Sequence, residues 1–121
     1  MQNVTRGKVW GNTAKLFSLN NVEIHRIEVE KGGYCSKHSH KSKYNLFYVE
    51  DGELEIYIYR TDAGEAIRDE TVLGAGGSTY VEPGVPHMFK ANQRTIAFEI
   101  YWVELDERDI RRENVGGKAD L

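Results

Sequence analysis

Along residues 53–59 apolar and polar positions alternate. Leu54, Ile56 and Ile58 fall on one parity; Glu53, Glu55, Tyr57 and Tyr59 fall on the other. A period of two is the mark of a β-strand with two unlike faces, because successive side chains leave opposite sides of the chain. Residues 22–30 read as a second strand whose phase shifts near Ile24–His25, after which His25, Ile27 and Val29 share a face. Thr95 to Leu105 carries β-branched and aromatic residues on both parities, which predicts a strand covered on both sides. No stretch keeps a helical period for long. Glu104 to Asn114, nearly all charged around Leu105 and Ile110, reads as a short helix or a solvated arm, and Val115 to Leu121 as a fraying tail.

Turn residues punctuate these runs: Lys31-Gly32-Gly33, Glu50-Asp51-Gly52, Thr61-Asp62-Ala63-Gly64, Gly74-Ala75-Gly76-Gly77 and Pro83-Gly84-Val85-Pro86. Many short strands separated in this way predict an all-β fold, an antiparallel sandwich or small barrel. At 121 residues the chain is sized for one domain. Residues 1–21 read as an extension of short strands and 106–121 as a charged arm.

Charge then removes several classes of function. Sixteen Lys and Arg against nineteen Asp and Glu leave a net charge of −3, whereas a general nucleic-acid binder presents a basic field. No apolar run approaches the ~18 residues of a membrane span, and Met1-Gln2-Asn3-Val4-Thr5-Arg6 offers no apolar segment for a signal peptide. A single cysteine, Cys35, excludes an internal disulfide and a cysteine-rich zinc site. The expected location is the cytoplasm.

Histidine placement supplies the candidate chemistry. His38-Ser39-His40 has the spacing that puts two imidazoles on one face of a strand, where they can chelate a divalent ion. His87, after Pro83-Gly84-Val85-Pro86, can join them if the fold brings it across. Imidazole suits Zn, Fe, Ni and Cu, and added oxygen ligands extend the range to Mn. The competing reading is two exposed histidines in a polar loop, since Ser36 to Lys43 is hydrophilic throughout.

Two motifs resemble those of the cupin superfamily. Gly32, His38-Ser39-His40, Asn45 and Gly52 match the first motif in spacing, with Asn45 standing where the family has Glu. Gly76, Pro83-Gly84 and His87 follow the second, with the proline displaced by one place and Ala91 at the closing Asn position. The resemblance covers roughly residues 22–105. It implies a cupin double-stranded β-helix, a jelly-roll-like small barrel, and a divalent metal (Zn, Fe, Mn or Ni) on His38, His40, Asn45 and His87. Asn45 contributes no negative charge, so the ion would keep its full dipositive charge toward an anionic or chelating ligand. An alternative role for Asn45 is a buried hydrogen bond.

Phe47 and Val49 share parity with Asn45, and Phe89 with His87. These three read either as an apolar substrate-pocket wall or as plain barrel core. His25 reads as a satisfied interior histidine and Cys35 as a packing thiol. Tyr48, Tyr57 and Tyr59 read as outer-face residues, and the resemblance implies that such a face pairs with a second copy as a homodimer.

Lys8-Val9-Trp10-Gly11, Gly77 to Gly84 and Asp109-Ile110-Arg111 are also similar to the cupin part of type II mannose-6-phosphate isomerases, although Tyr44-Asn45-Leu46 replaces that family's Glu-His-Trp. Three readings follow. The first is a metal cupin acting on or binding a small polar molecule, such as a sugar or sugar phosphate, in the manner of an isomerase or epimerase. The second is a three-histidine Fe(II) dioxygenase. The third is a non-enzymatic ligand-binding or structural barrel.

Overall fold

The computed structural model describes residues 4–104, 108, 109, 111 and 115–120. Nine strands run through the described residues: β1 Val4–Lys8, β2 Gly11–Leu19, β3 Val22–Val29, β4 Tyr44–Asp51, β5 Glu53–Asp62, β6 Glu65–Gly74, β7 Ser78–Val81, β8 His87–Lys90 and β9 Thr95–Trp102. They form a six-stranded sheet in the order β1-β2-β3-β9-β4-β7 and a three-stranded sheet in the order β6-β5-β8. Every pairing is antiparallel. The core fills the space between the two sheets, as a jelly roll requires. The expected helix or arm over 104–114 falls largely on residues outside those described. Among the described residues there is no helix long and apolar enough to cross a membrane.

The parities read from the sequence set the core. Ile27 and Val29 on β3, Phe47 and Val49 on β4, Leu54 and Ile56 on β5, Phe89 on β8 and Ala97 on β9 all turn inward and are buried. Each large side chain enclosed here contributes roughly 1.5–3 kcal/mol of burial. On β9 every residue is buried or half-buried, yet the two faces differ in chemistry. Thr95, Ala97, Glu99 and Tyr101 face inward, whereas Ile96, Phe98, Ile100 and Trp102 form an apolar ridge on the outer side.

Tyr48 and Tyr57 both take outer parities, but on different sheets and with unlike exposure. Tyr57 is buried, hydrogen-bonded to Glu55, with the Arg68 guanidinium 4.6 Å from its ring centre. Tyr48 is exposed on the other sheet. Side chains from the long β5–β6 hairpin close over Tyr57, a packing that parity alone does not reveal.

Gly52 holds β4 to the start of β9. Its φ is +95°, and a Cβ there would lie 2.6 Å from both the Arg94 carbonyl oxygen and Thr95 Oγ1. That hydroxyl is fully buried and accepts the Glu53 N–H at 3.1 Å. The Gly52→Ala variant is expected to lose roughly 2–4 kcal/mol, from left-handed strain plus overpacking. Urea denaturation of variant and parent measures it.

Candidate metal centre

Residues 30–43 loop back across the barrel from β3 to β4, and their main chain is stapled to the segment that leads into β8. His38 N–H donates to the His87 carbonyl at 3.0 Å, and His87 N–H returns a bond to the His38 carbonyl at 2.8 Å. Gly84 N–H donates to the His40 carbonyl at 2.6 Å, and Tyr59 N–H to the Pro86 carbonyl at 3.0 Å. Residues 36–43 are therefore loop with one bridge at His38, not the strand expected from the His-x-His spacing. The extended backbone at that bridge still turns both rings the same way.

Ring centres of His38 and His87 lie 4.5 Å apart, those of His38 and His40 4.9 Å, and those of His40 and His87 5.4 Å. One nitrogen from each ring lies within 4.8 Å of the other two. Two metal–nitrogen bonds span at most about 4.2 Å, so a contraction of about half an ångström seats one divalent ion. Proton placement fits the same purpose. His38 Nδ1 is 2.7 Å from the Ser36 carbonyl, and His87 Nδ1 is 2.8 Å from the Val85 carbonyl. A carbonyl only accepts, so each Nδ1 carries the hydrogen and leaves the Nε2 lone pair turned to the centre. His40 Nε2 is buried with no hydrogen-bond partner. A buried, unpartnered ring nitrogen beside two aligned lone pairs is a donor set that fits a cation.

Asn45, at the start of β4, is buried against this cluster, its Oδ1 3.3 Å from His87 Nε2. With the His87 proton on Nδ1, the amide oxygen and the ring nitrogen present lone pairs to one another. Phe47 stands behind His87 at 6.2 Å between ring centres. Phe89 reaches both the core and the cavity described below, whereas Val49 is wholly core and stands apart from that cavity.

Burial, reinforced by His38, Lys43 and His87, draws His40 down to about 4, and burial likewise lowers His87. In metal-free protein the unfolded chain protonates these rings below about pH 6.5, while folded His40 resists until about 4. Their contribution to stability is complete above about pH 6.5 and fades as pH falls toward 4. Thermal melts of chelator-treated protein should show Tm falling through that window.

Beside the cluster lies a cavity of about 340 Å³. His38, Lys43 and Cys35 flank it on the loop side, Trp10 and Phe89 on another, and Glu23, His25, Glu99 and Tyr101 of β3 and β9 form its sheet wall. The Lys43 ammonium sits 4.1 Å from the Tyr101 ring centre. His25 Nε2 is 3.1 Å from Glu23 Oε2. Cys35 Sγ accepts the Phe89 N–H at 3.2 Å, and burial pushes its thiol up to about 12, so it packs rather than reacts. Sequence reasoning missed Glu99 and Tyr101. The available signal was a carboxylate on the same parity of β9 as Thr95 and Ala97.

Comparison with known proteins places this architecture. No curated protein sequence matches the chain. Among solved structures it is similar to KdgF from Halomonas sp., with 14% identity, a TM-score of 0.66, and 86% of this chain and 89% of that one covered. It is similar to an RmlC-like cupin from Shewanella frigidimarina, with 22% identity, a TM-score of 0.66, and 89% and 87% covered. It is also similar to oxalate decarboxylase from Bacillus subtilis, with 18% identity and a TM-score of 0.70, where 84% of this chain spans 27% of that one. Identities this low speak for the fold alone. The family described as the cupin domain matches residues 25–104, and the chain belongs to that family.

Proposed function

We propose that the protein is a divalent-metal cupin that binds and acts on a small, oxygen-rich polar molecule, a sugar or sugar phosphate, in an isomerase- or epimerase-like reaction. The observation that carries the reading is the orphaned Nε2 of His40 beside the aligned Nε2 atoms of His38 and His87. His38, His40 and His87 hold the ion (Zn, Fe, Mn or Ni), with Asn45 as an oxygen donor. The ion supplies Lewis acidity toward a substrate oxygen. Lys43 and Lys8, which line the cavity, attract an anionic group such as phosphate, and Trp10 and Phe89 furnish an apolar wall. Elemental analysis of protein purified without added metal, followed by conversion assays of mannose 6-phosphate against the chelated control, tests this function. A stoichiometric ion with conversion above control supports it; an ion-free protein that takes up none of the four metals sinks it.

The neutral donor set favours a second reading, a three-histidine Fe(II) dioxygenase, because no carboxylate stands in Asn45's place. Oxygen uptake with a diketone, thiol or catechol by the iron-loaded protein would select it over the first.

A homodimer fits the outer face of the large sheet. The four central strands, eight or nine residues each, and the shorter edge strands β1 and β7 present roughly 670 Å² at ~3.3 Å per residue and ~4.8 Å spacing, close to the ~800 Å² that each partner of a standard interface contributes. Phe98, Ile100 and Trp102 occupy its middle, with exposed Tyr48 and Tyr80 beside them. Sedimentation equilibrium is expected to give a dimer for the parent and a monomer for Phe98→Glu, with metal content unchanged.

A further inference from the structure

Glu99 belongs neither to the histidine cluster nor to the apolar core, yet it lies on the inward face of β9. It stands between His25 of β3 and Phe47 of β4 in the sheet register. Two residues on, Tyr101 pairs with Asn45, and its ring centre is 5.3 Å from that of His40. Tyr101 therefore stands at the ion-binding end of the cavity and Glu99 about 7 Å along the strand, one full pleat away. The Tyr101 hydroxyl donates to Glu99 Oε2, which fixes the carboxylate's orientation. Glu99 and His38 line the same cavity. The charged and titratable groups around Glu99 are His25 and Glu23 from β3, Cys35, His38 and Lys43 from the loop, Tyr101 from its own strand, and Lys8 of β1 on the same cavity. Burial raises the carboxyl above its ordinary range, the direction that suits proton exchange near neutral pH.

Resting on the small-molecule reading of this cavity, we infer that Glu99 moves a proton on the bound molecule, that Tyr101 is its positioning residue, and that the substrate is an α-hydroxy carbonyl compound. Such a compound meets three demands at once. It offers two adjacent oxygens to the histidine end, its C–H is acidified by the neighbouring carbonyl, and at about 340 Å³ the cavity accommodates a sugar-sized molecule. In the step itself, the Glu99 carboxylate takes the proton from the hydroxyl-bearing carbon. The C–H electron pair becomes the new C=C bond, and the carbonyl π pair moves onto its oxygen, giving an enediolate. Glu99 returns the proton to the former carbonyl carbon while the hydroxyl proton passes to the neighbouring oxygen. Carbonyl and hydroxyl exchange places, and no oxidant or reductant is needed.

The test uses the metal-loaded full chain in D₂O with mannose 6-phosphate, ribose 5-phosphate and glucuronate as probes. Proton NMR follows loss of the C2 hydrogen, and Trp10 fluorescence in a Trp102→Phe background follows binding. At least one probe is expected to exchange its C2 hydrogen. Glu99→Gln should slow that exchange by ~100-fold or more while probe affinity stays within about threefold, and Glu99→Asp should retain part of it. Tyr101→Phe should shift the pH profile of exchange upward, because the lost hydrogen bond had lowered the Glu99 carboxyl. Binding without exchange for every probe, or exchange undiminished in Glu99→Gln, overturns the inference and leaves the metal reading standing. Failure to bind both ion and probes removes the two together.

Discussion

Replacing His40 with alanine is expected to weaken divalent-metal binding by ~100-fold or more and to abolish the thermal gain that the ion gives the parent protein. At a free ion concentration near 100 times Kd, binding stabilises a fold by about 2.7 kcal/mol, roughly 10 °C in Tm for a domain of this size. His40 is the informative ligand to remove. Its Nε2 is buried without a partner, so the ring contributes no hydrogen bond through that nitrogen in the metal-free state. Metal-free Tm of the variant should accordingly stay close to the parent's, which separates loss of a ligand from loss of the fold. Isothermal titration with Zn, Mn, Ni and anaerobic Fe(II), paired with thermal shifts, reads both quantities. Parent-like affinity in His40→Ala would detach the cluster from any metal.

Phe47→Ala should remove about 3–5 kcal/mol of stability, the range for an aromatic truncated in a packed core. Phe47 is almost fully buried on β4, edge-on to Phe89 at 6.1 Å and to His87 at 6.2 Å. The cavity left behind would border a proposed ligand, so ion affinity should fall too, by much less than in His40→Ala. Urea denaturation of the metal-free proteins measures the first effect and titration the second. A loss below about 1 kcal/mol would mean that the ring is not part of the close-packed core.

The core stretches of β3, β4 and β5 were legible because Ile27 and Val29, Phe47 and Val49, and Leu54 and Ile56 are apolar at alternate positions, so alternation alone points to the core. The histidine cluster was legible through a spacing motif, even though its first two members ride on a loop rather than a strand. Glu99 and Tyr101 were not, because β9 is apolar on its outer side and half polar on its inner one. Its amphipathic pattern runs opposite to the usual one, and parity could not say which side faced inward until β3 and β4 were placed beside it. Tyr57 keeps the outer parity of β5, but its burial was not legible, because the residue that covers it, Arg68, comes from a different strand. Residues 105–107, 110 and 112–114, on which the expected C-terminal helix or arm depends, lie outside the described structure.

The reciprocal main-chain bonds between His38 and His87 join segments roughly fifty residues apart. Before that closure the chain offers an ion only the local His38, His40 and Asn45 without His87, so the entropy of bringing the ends together falls on the polypeptide alone. An ion that binds once this long-range contact has formed acts as a latch that slows the opening of the finished barrel.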